Sequence, residues 1–243
     1  MKKLLIFLLA VFCTPLAFAQ FHLLPTADDH IQQWFQASYG RSVDLGFEAK
    51  QNFFSVGYAF DITAFDGFVG LQCTDDVTDF AFDSDWWPFE FHKKHGVLRF
   101  GLGLDYHAEW YNDISCEHDI ILMPELDWHS THHYLLTLRT GGTRKISDIY
   151  AIDQTTVDNW NLLLTLRLGK IWDNGIEATI DAGTRTQYRH PVFGSAIFTP
   201  AVAYRFANGV RVGLEAEITM RDWIAATYYM ESVIIRCTGR VTF

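Results

Sequence analysis

The sequence predicts an all-β fold, an antiparallel transmembrane β-barrel of about 12 strands, with about 10 or 8 as alternatives. Three observations predict it. Apolar and polar residues alternate with a period of two over long stretches, as they do on strands with one apolar face. The segments so marked run to about 10 residues or more, the length a tilted strand needs to cross a bilayer, against about 5 or 6 in soluble sheets. Tight turns alternate with longer connections, which is the end-to-end asymmetry of a membrane barrel.

Composition is consistent with this class. The chain has 243 residues, 49% of them hydrophobic, 16% aromatic and only 20% charged. That excludes a disordered or collagen-like chain and calls for either a very large core or apolar surface that faces something other than water. A formal charge of −10 disfavours nucleic acid as a partner.

At the N-terminus, Lys2 and Lys3 precede an apolar run from Leu4 to Phe12, a break at Pro15 and the small-residue pattern Ala17-Phe18-Ala19. This reads as a secretory signal peptide, residues 1–19, cleaved before Gln20. The run is too short for a spanning helix, which needs about 20 residues. Bulky Phe12 ahead of Cys13 argues against a lipoprotein anchor. Residues 20–41 follow as an N-terminal segment in which Asp28 and Asp29 precede Ile31, Trp34, Phe35 and Ser38 at helical spacing, so a short helix over 27–39 is expected, an extra strand being the alternative.

The barrel is expected over residues 42–243. Its first strands are short, near 42–49, 53–62, 67–73 and 86–92, with turns at Asp66-Gly67 and at Lys93-Lys94-His95-Gly96. Longer strands follow near 97–111, 117–128, 132–142, 156–169, 176–186, 194–206, 210–221 and 229–243. In the first of these, Leu98, Phe100, Leu102, Leu104, Tyr106, Ala108 and Trp110 share a face opposite Arg99, Gly101, Gly103, Asp105, His107 and Glu109. Leu162, Leu164 and Leu166 form a similar outward row. Asp173-Asn174-Gly175 and Ala207-Asn208-Gly209 are hairpin turns. Trp110, Trp128, Tyr134, Trp160, Tyr204, Phe206 and Tyr229 fall near strand ends, where interfacial girdles form. A secreted sandwich would also alternate, but strand length and turn asymmetry favour the membrane.

The last strand puts Val233, Ile235, Cys237, Gly239, Val241 and Phe243 on one face, and the chain ends on that aromatic. Here the chain resembles the bacterial outer-membrane β-barrel proteins as a class. The resemblance implies residence in the bacterial outer membrane after export, contact with outer-membrane lipid, and recognition by the barrel-assembly machinery through Phe243 and Val241.

Polar faces then become a lumen. The candidate lumen-lining residues are Arg99, Asp105, His107, Glu109, Arg139, Arg167, Glu177, Asp181, Arg185, Arg211, Glu215, Glu217, Arg236 and Arg240, with Glu125, Asp127 and Arg205 in the same rows. Charges there must be paired or wet. They can fill a narrow barrel as a salt-bridge network, or line a hydrated path that orients a polar solute.

Other motifs carry less. His118 and His129 to His133 are dense, but alternation sends His132 and His133 to opposite faces, so no metal site is expected there. Adjacent His129 and Ser130, without a following Asn, do not match the outer-membrane lipid hydrolases. Asp75, Asp76, Asp79, Asp83 and Asp85 read as a solvated external loop lacking the glycine and glutamate of a calcium loop. Cys73, Cys116 and Cys237 allow at most one disulfide among them. Neither a cofactor nor an enzymatic activity is expected. The leading function is a channel or porin for small polar solutes. A packed barrel whose loops bind or adhere to a partner is the alternative, and a lipid hydrolase stands third.

Overall fold

A computed structural model describes residues 32–45, 50–62, 64–75, 77–111, 115–147, 157–184, 195–221 and 229–243. The expected signal peptide 1–19, residues 20–31 and Arg185 lie outside the described residues. So do the side chains of Trp160, Leu162 and Tyr229.

Twelve antiparallel strands close into one barrel. They are β1 (Gln32–Asp44), β2 (Lys50–Ile62), β3 (Phe65–Cys73), β4 (Val77–Lys93), β5 (Gly96–Tyr111), β6 (Ser115–Ser130), β7 (Tyr134–Ser147), β8 (Val157–Ile171), β9 (Ile176–Thr184), β10 (Ser195–Arg205), β11 (Val210–Arg221) and β12 (Tyr229–Thr242). Each strand pairs with its sequence neighbours, and β1 closes the ring on β12, from Trp34 opposite Thr242 to Asp44 opposite Ser232. Closure leaves no unpaired edge, so every backbone amide and carbonyl within the wall can be satisfied without water.

Short turns join β2 to β3, β4 to β5, β6 to β7, β8 to β9 and β10 to β11, all at the end of the barrel that carries Phe243. Two of them show why. Gly175 and Gly209 have φ of 86° and 81°, which a side chain would resist, while Asn174 and Asn208 Oδ1 accept the amides of Ile176 and Val210 at 3.1 and 3.3 Å. The Phe243 amide donates to Gln33 O at 3.0 Å, tying the last residue to the first strand.

The outer wall is apolar. Phe82, Leu102, Leu104, Leu122, Leu138, Leu164, Leu166, Ile180, Val202, Leu214 and Ile235 are all exposed on it. Near the short-turn end they give way to aromatics: Phe35, Phe91, Phe100, Tyr134, Tyr204, Phe206 and Phe243. Phe35 packs against Phe243 at 5.5 Å and Phe91 against Phe100 at 5.9 Å between ring centres. Lys170 Nζ stands 3.8 Å over the Tyr134 ring, a charged head drawn to the level of the girdle. Trp110 is exposed near the opposite end and Trp128 is half-buried. No helix among the described residues is long and apolar enough to cross a membrane; the strands have the length to do so.

The N-terminal third departs from the sequence expectation. Residues 32–39, expected in a helix, belong to β1, so the barrel begins at least ten positions before 42. Trp34, Ser38 and Gly40 face in while Phe35, Ala37 and Tyr39 face out, and the ladders to β2 and β12 supply backbone bonds on both edges. A short isolated helix cannot compete with that pairing. Asp66 and Gly67 are not a turn but part of β3; Gly67 is small because the ring of cross-strand Phe60 lies over it. The expected external acidic loop is likewise strand: Asp79, Asp83 and Asp85 sit in β4, which runs 17 residues. Cys73, Cys116 and Cys237 are thiols rather than disulfides.

Candidate functional site

The inward face of every strand contributes to one lumen, and its charges are not evenly spread. Strands β3 to β6 present Asp66, Asp79, Asp83, Asp85, Asp105, Glu109, Glu117, Asp119, Glu125 and Asp127, joined by Arg99, His107 and His129. In a closed ring of twelve, β10 to β12 stand across the lumen from β4 to β6. That wall presents Arg205, Arg211, Arg236 and Arg240, with Glu215 and Glu217 among them. The lumen therefore has an acidic side and an arginine side.

On the acidic side, cross-strand register brings Arg99 opposite Asp127, where its Nη2 donates to Oδ2 at 2.8 Å. Thr137 Oγ1 donates to the other carboxylate oxygen at 2.7 Å, and His129 Nε2 lies 2.6 Å from Oδ2. The Arg99 guanidinium also stacks 4.5 Å from the Trp87 ring, whose Nε1 donates to Asp66 Oδ2 at 2.8 Å. Further along, Arg139 on β7 bridges Asp85 at 3.1 Å and Glu125 at 2.7 Å. Arg167 and Asp181, opposite one another on β8 and β9, form a two-pronged pair with both contacts at 2.7 Å.

Across the lumen, Glu177 lies 2.6 Å from Arg205 and 2.7 Å from Arg211. Arg236 reaches Glu215 at 2.9 Å and Glu217 at 3.2 Å, and Arg240 lies 3.6 Å over the Trp34 ring. Desolvating this many charges in low dielectric costs heavily unless each has partners, so these pairs are what lets the polar faces turn inward.

A cavity of about 330 Å³ opens beside the acidic side, on the inner faces of β4 to β11. Asp83, Asp105, His107, Glu109 and Asp119 line one side; Arg139, Arg167, Asp181 and Glu217 line others, with Met123, Leu163, Ile197 and Thr199 as less polar surface. That is room for several waters or a small polar molecule.

Each described sequence-chosen lumen residue sits on an inward strand position: Arg99, Asp105, His107, Glu109, Arg139, Arg167, Glu177, Asp181, Arg211, Glu215, Glu217, Arg236 and Arg240. Asp105, His107, Glu109, Arg139, Arg167, Asp181 and Glu217 meet at the cavity; Arg99, Glu177, Arg211, Glu215, Arg236 and Arg240 lie apart from its lining. Asp83 and Asp85 were missed because five aspartates in eleven residues resemble a loop. The signal that could have found them is the alternation Asp79-Phe80-Ala81-Phe82-Asp83-Ser84-Asp85-Trp86, acidic on one face and aromatic on the other. The histidine run does not converge. His129 faces Asp127, while His132 and His133 are exposed at the turn, where Ser130 Oγ accepts the His132 amide at 3.1 Å. Val241 and Phe243 are exposed on the outer wall beside β1 and β11.

The fold is that of the bacterial outer-membrane β-barrels. The KdgM porin solved in complex with disordered oligogalacturonate is similar over 86% of this chain and 99% of its own, with a TM-score of 0.53 and 8% sequence identity. A second KdgM porin structure covers the same shares at a TM-score of 0.49 and 8% identity. The Acinetobacter baumannii outer membrane protein Omp33 matches 87% of this chain and 99% of its own at 0.44 and 7%. No protein-family model matches the sequence, and no curated protein does.

Proposed function

We propose that this chain is an outer-membrane channel for small polar solutes. The observation that carries the reading is the polarised lumen: a carboxylate side on β3 to β6 stands across from an arginine side on β10 to β12, and a cavity of about 330 Å³ opens among Asp83, Asp105, His107, Arg139, Arg167 and Glu217. Opposed rows of charge set up a transverse field that orients a dipolar solute and its water while the low-dielectric wall excludes lipid. Twelve strands support the same reading, because a barrel of that size is wider than the about 8-stranded kind that side chains fill completely.

Carboxylates outnumber cations on the inward positions, so the favoured passengers are cations and zwitterions. The similar KdgM porin was solved with an oligogalacturonate. A polymer of that negative charge would be repelled by Asp83, Asp85, Asp105 and Glu125, so the charge preference of this lumen is expected to be the opposite one. Reconstitution into a planar bilayer tests the proposal. Stepwise conductance with a reversal potential displaced toward the cation in a salt gradient is expected. Silent bilayers from heat-modifiable, correctly folded protein would overturn the channel in favour of a packed barrel, and anion preference would overturn the charge argument.

A further inference from the structure

We propose that Asp83, Asp105 and His107 form a lumenal binding site for a divalent transition-metal ion. Strand register places the three together: Asp83 on β4 is directly opposite Asp105 on β5, and His107 follows two positions along on the same face. One donor atom from each lies within 4.8 Å of the others, and His107 Nε2 is 3.3 Å from Asp83 Oδ1. Ligand atoms that share an ion at about 2.1 Å stand about 3.4 Å apart, so the edge between His107 and Asp83 already has that spacing and an Asp105 oxygen lies within 4.8 Å of both.

Two carboxylates set directly opposite on neighbouring strands repel, and a metal ion shared by them and His107 would relieve that repulsion. Arg139, which also lines the cavity, makes its direct ion pairs with Asp85 and Glu125. A second observation points to a ligand. Asp105 is only 9% exposed, it lines the cavity, and its Oδ1 is buried with no hydrogen-bond partner. A bound ion would satisfy that oxygen.

The donor set selects the class of metal. One imidazole with two carboxylates suits borderline ions such as Zn²⁺ or Co²⁺ better than Ca²⁺, which takes oxygen ligands in larger number. The cavity leaves the remaining coordination positions to water. This site does not depend on conduction, and it would stand if the lumen carried no current.

The test is titration of the detergent-solubilised protein with CoCl₂, followed by the visible d–d absorption, and with ZnCl₂ by calorimetry. One equivalent per chain is expected. H107Q and the near-isosteric D105N should each weaken binding on the order of tenfold or more, while H132A and H133A at the exposed turn should leave it unchanged. Migration on unheated gels establishes that each variant is folded, and H107A serves if H107Q does not fold. The proposal is overturned if wild-type protein binds no stoichiometric metal, if H107Q and D105N bind as wild type does, or if only H132A and H133A lose affinity.

Discussion

An arginine at Leu164 measures the outer wall directly. Leu164 is the middle residue of β8, 41% exposed on the outer surface, with Leu166 and Leu168 exposed beside it on the same face. In a bilayer that position meets the hydrocarbon centre. A guanidinium there loses its water without gaining a carboxylate, and the penalty for an outward-facing Arg at the midplane of a barrel is about 2–4 kcal/mol. At 1.4 kcal/mol per factor of ten this is a loss of roughly 30- to 700-fold in the folding equilibrium. Thr165, the next residue, points into the lumen opposite Arg139. Arg at position 165 places like charges across a strand pair, which costs only about 0.2–1 kcal/mol. Asp85 and Glu125 already hold Arg139, which limits that repulsion further. The assay is reversible urea unfolding in lipid vesicles, read by tryptophan fluorescence, with L164R and T165R compared against wild type. A gap of at least about 1 kcal/mol between the two is expected from those ranges. Equal losses, or a larger loss for T165R, would refute the assignment of faces.

Replacing Arg139 with Met removes the guanidinium that bridges Asp85 and Glu125, and the same unfolding assay should show a loss of about 3–5 kcal/mol, as when one member of a buried pair is removed; a loss under about 1 kcal/mol would mean water satisfies those carboxylates. Deletion of Phe243 should lower the amount of protein inserted in the outer membrane, because its ring is 63% exposed and free to be recognised, while the inserted fraction keeps near-normal heat stability. Unchanged insertion in membrane fractions would end the assembly-signal reading. G141A should destabilise the β6–β7 pairing by about 1–3 kcal/mol, since a Cβ at position 141 would overlap the carbonyl oxygen of Leu122, a backbone atom that cannot rotate away. A neutral result in urea unfolding would mean that β7 shifts freely.

What the amino-acid order determined on its own is which face of a segment is apolar. From β5 onward the period of two is long and uninterrupted, so Leu98 through Trp110 or Val233 through Phe243 could be assigned to one face before any pairing was known. The reason is local: side chains of a strand alternate whatever its neighbours are. The two Asn-Gly turns were legible for the same reason, because positive φ is a property of the residue itself.

Two features lay beyond that reach. Gln32 to Tyr39 has spacing compatible with either a helix or a strand, and only the ladders to β2 and β12, the second of them nearly the whole chain away, decide for strand. The same holds for Asp79 to Asp85, whose acidity suits water until β4 is paired with β5 and those carboxylates turn toward Arg139 and His107. Register, closure and the meeting of charges are relations between distant segments. A one-residue slip between β4 and β5 would leave every residue's own preferences unchanged and yet dissolve the Asp83, Asp105 and His107 cluster. Composition and periodicity therefore specify a barrel with a polar interior, while only the closed ring decides which carboxylate faces which arginine and where a cavity remains between them.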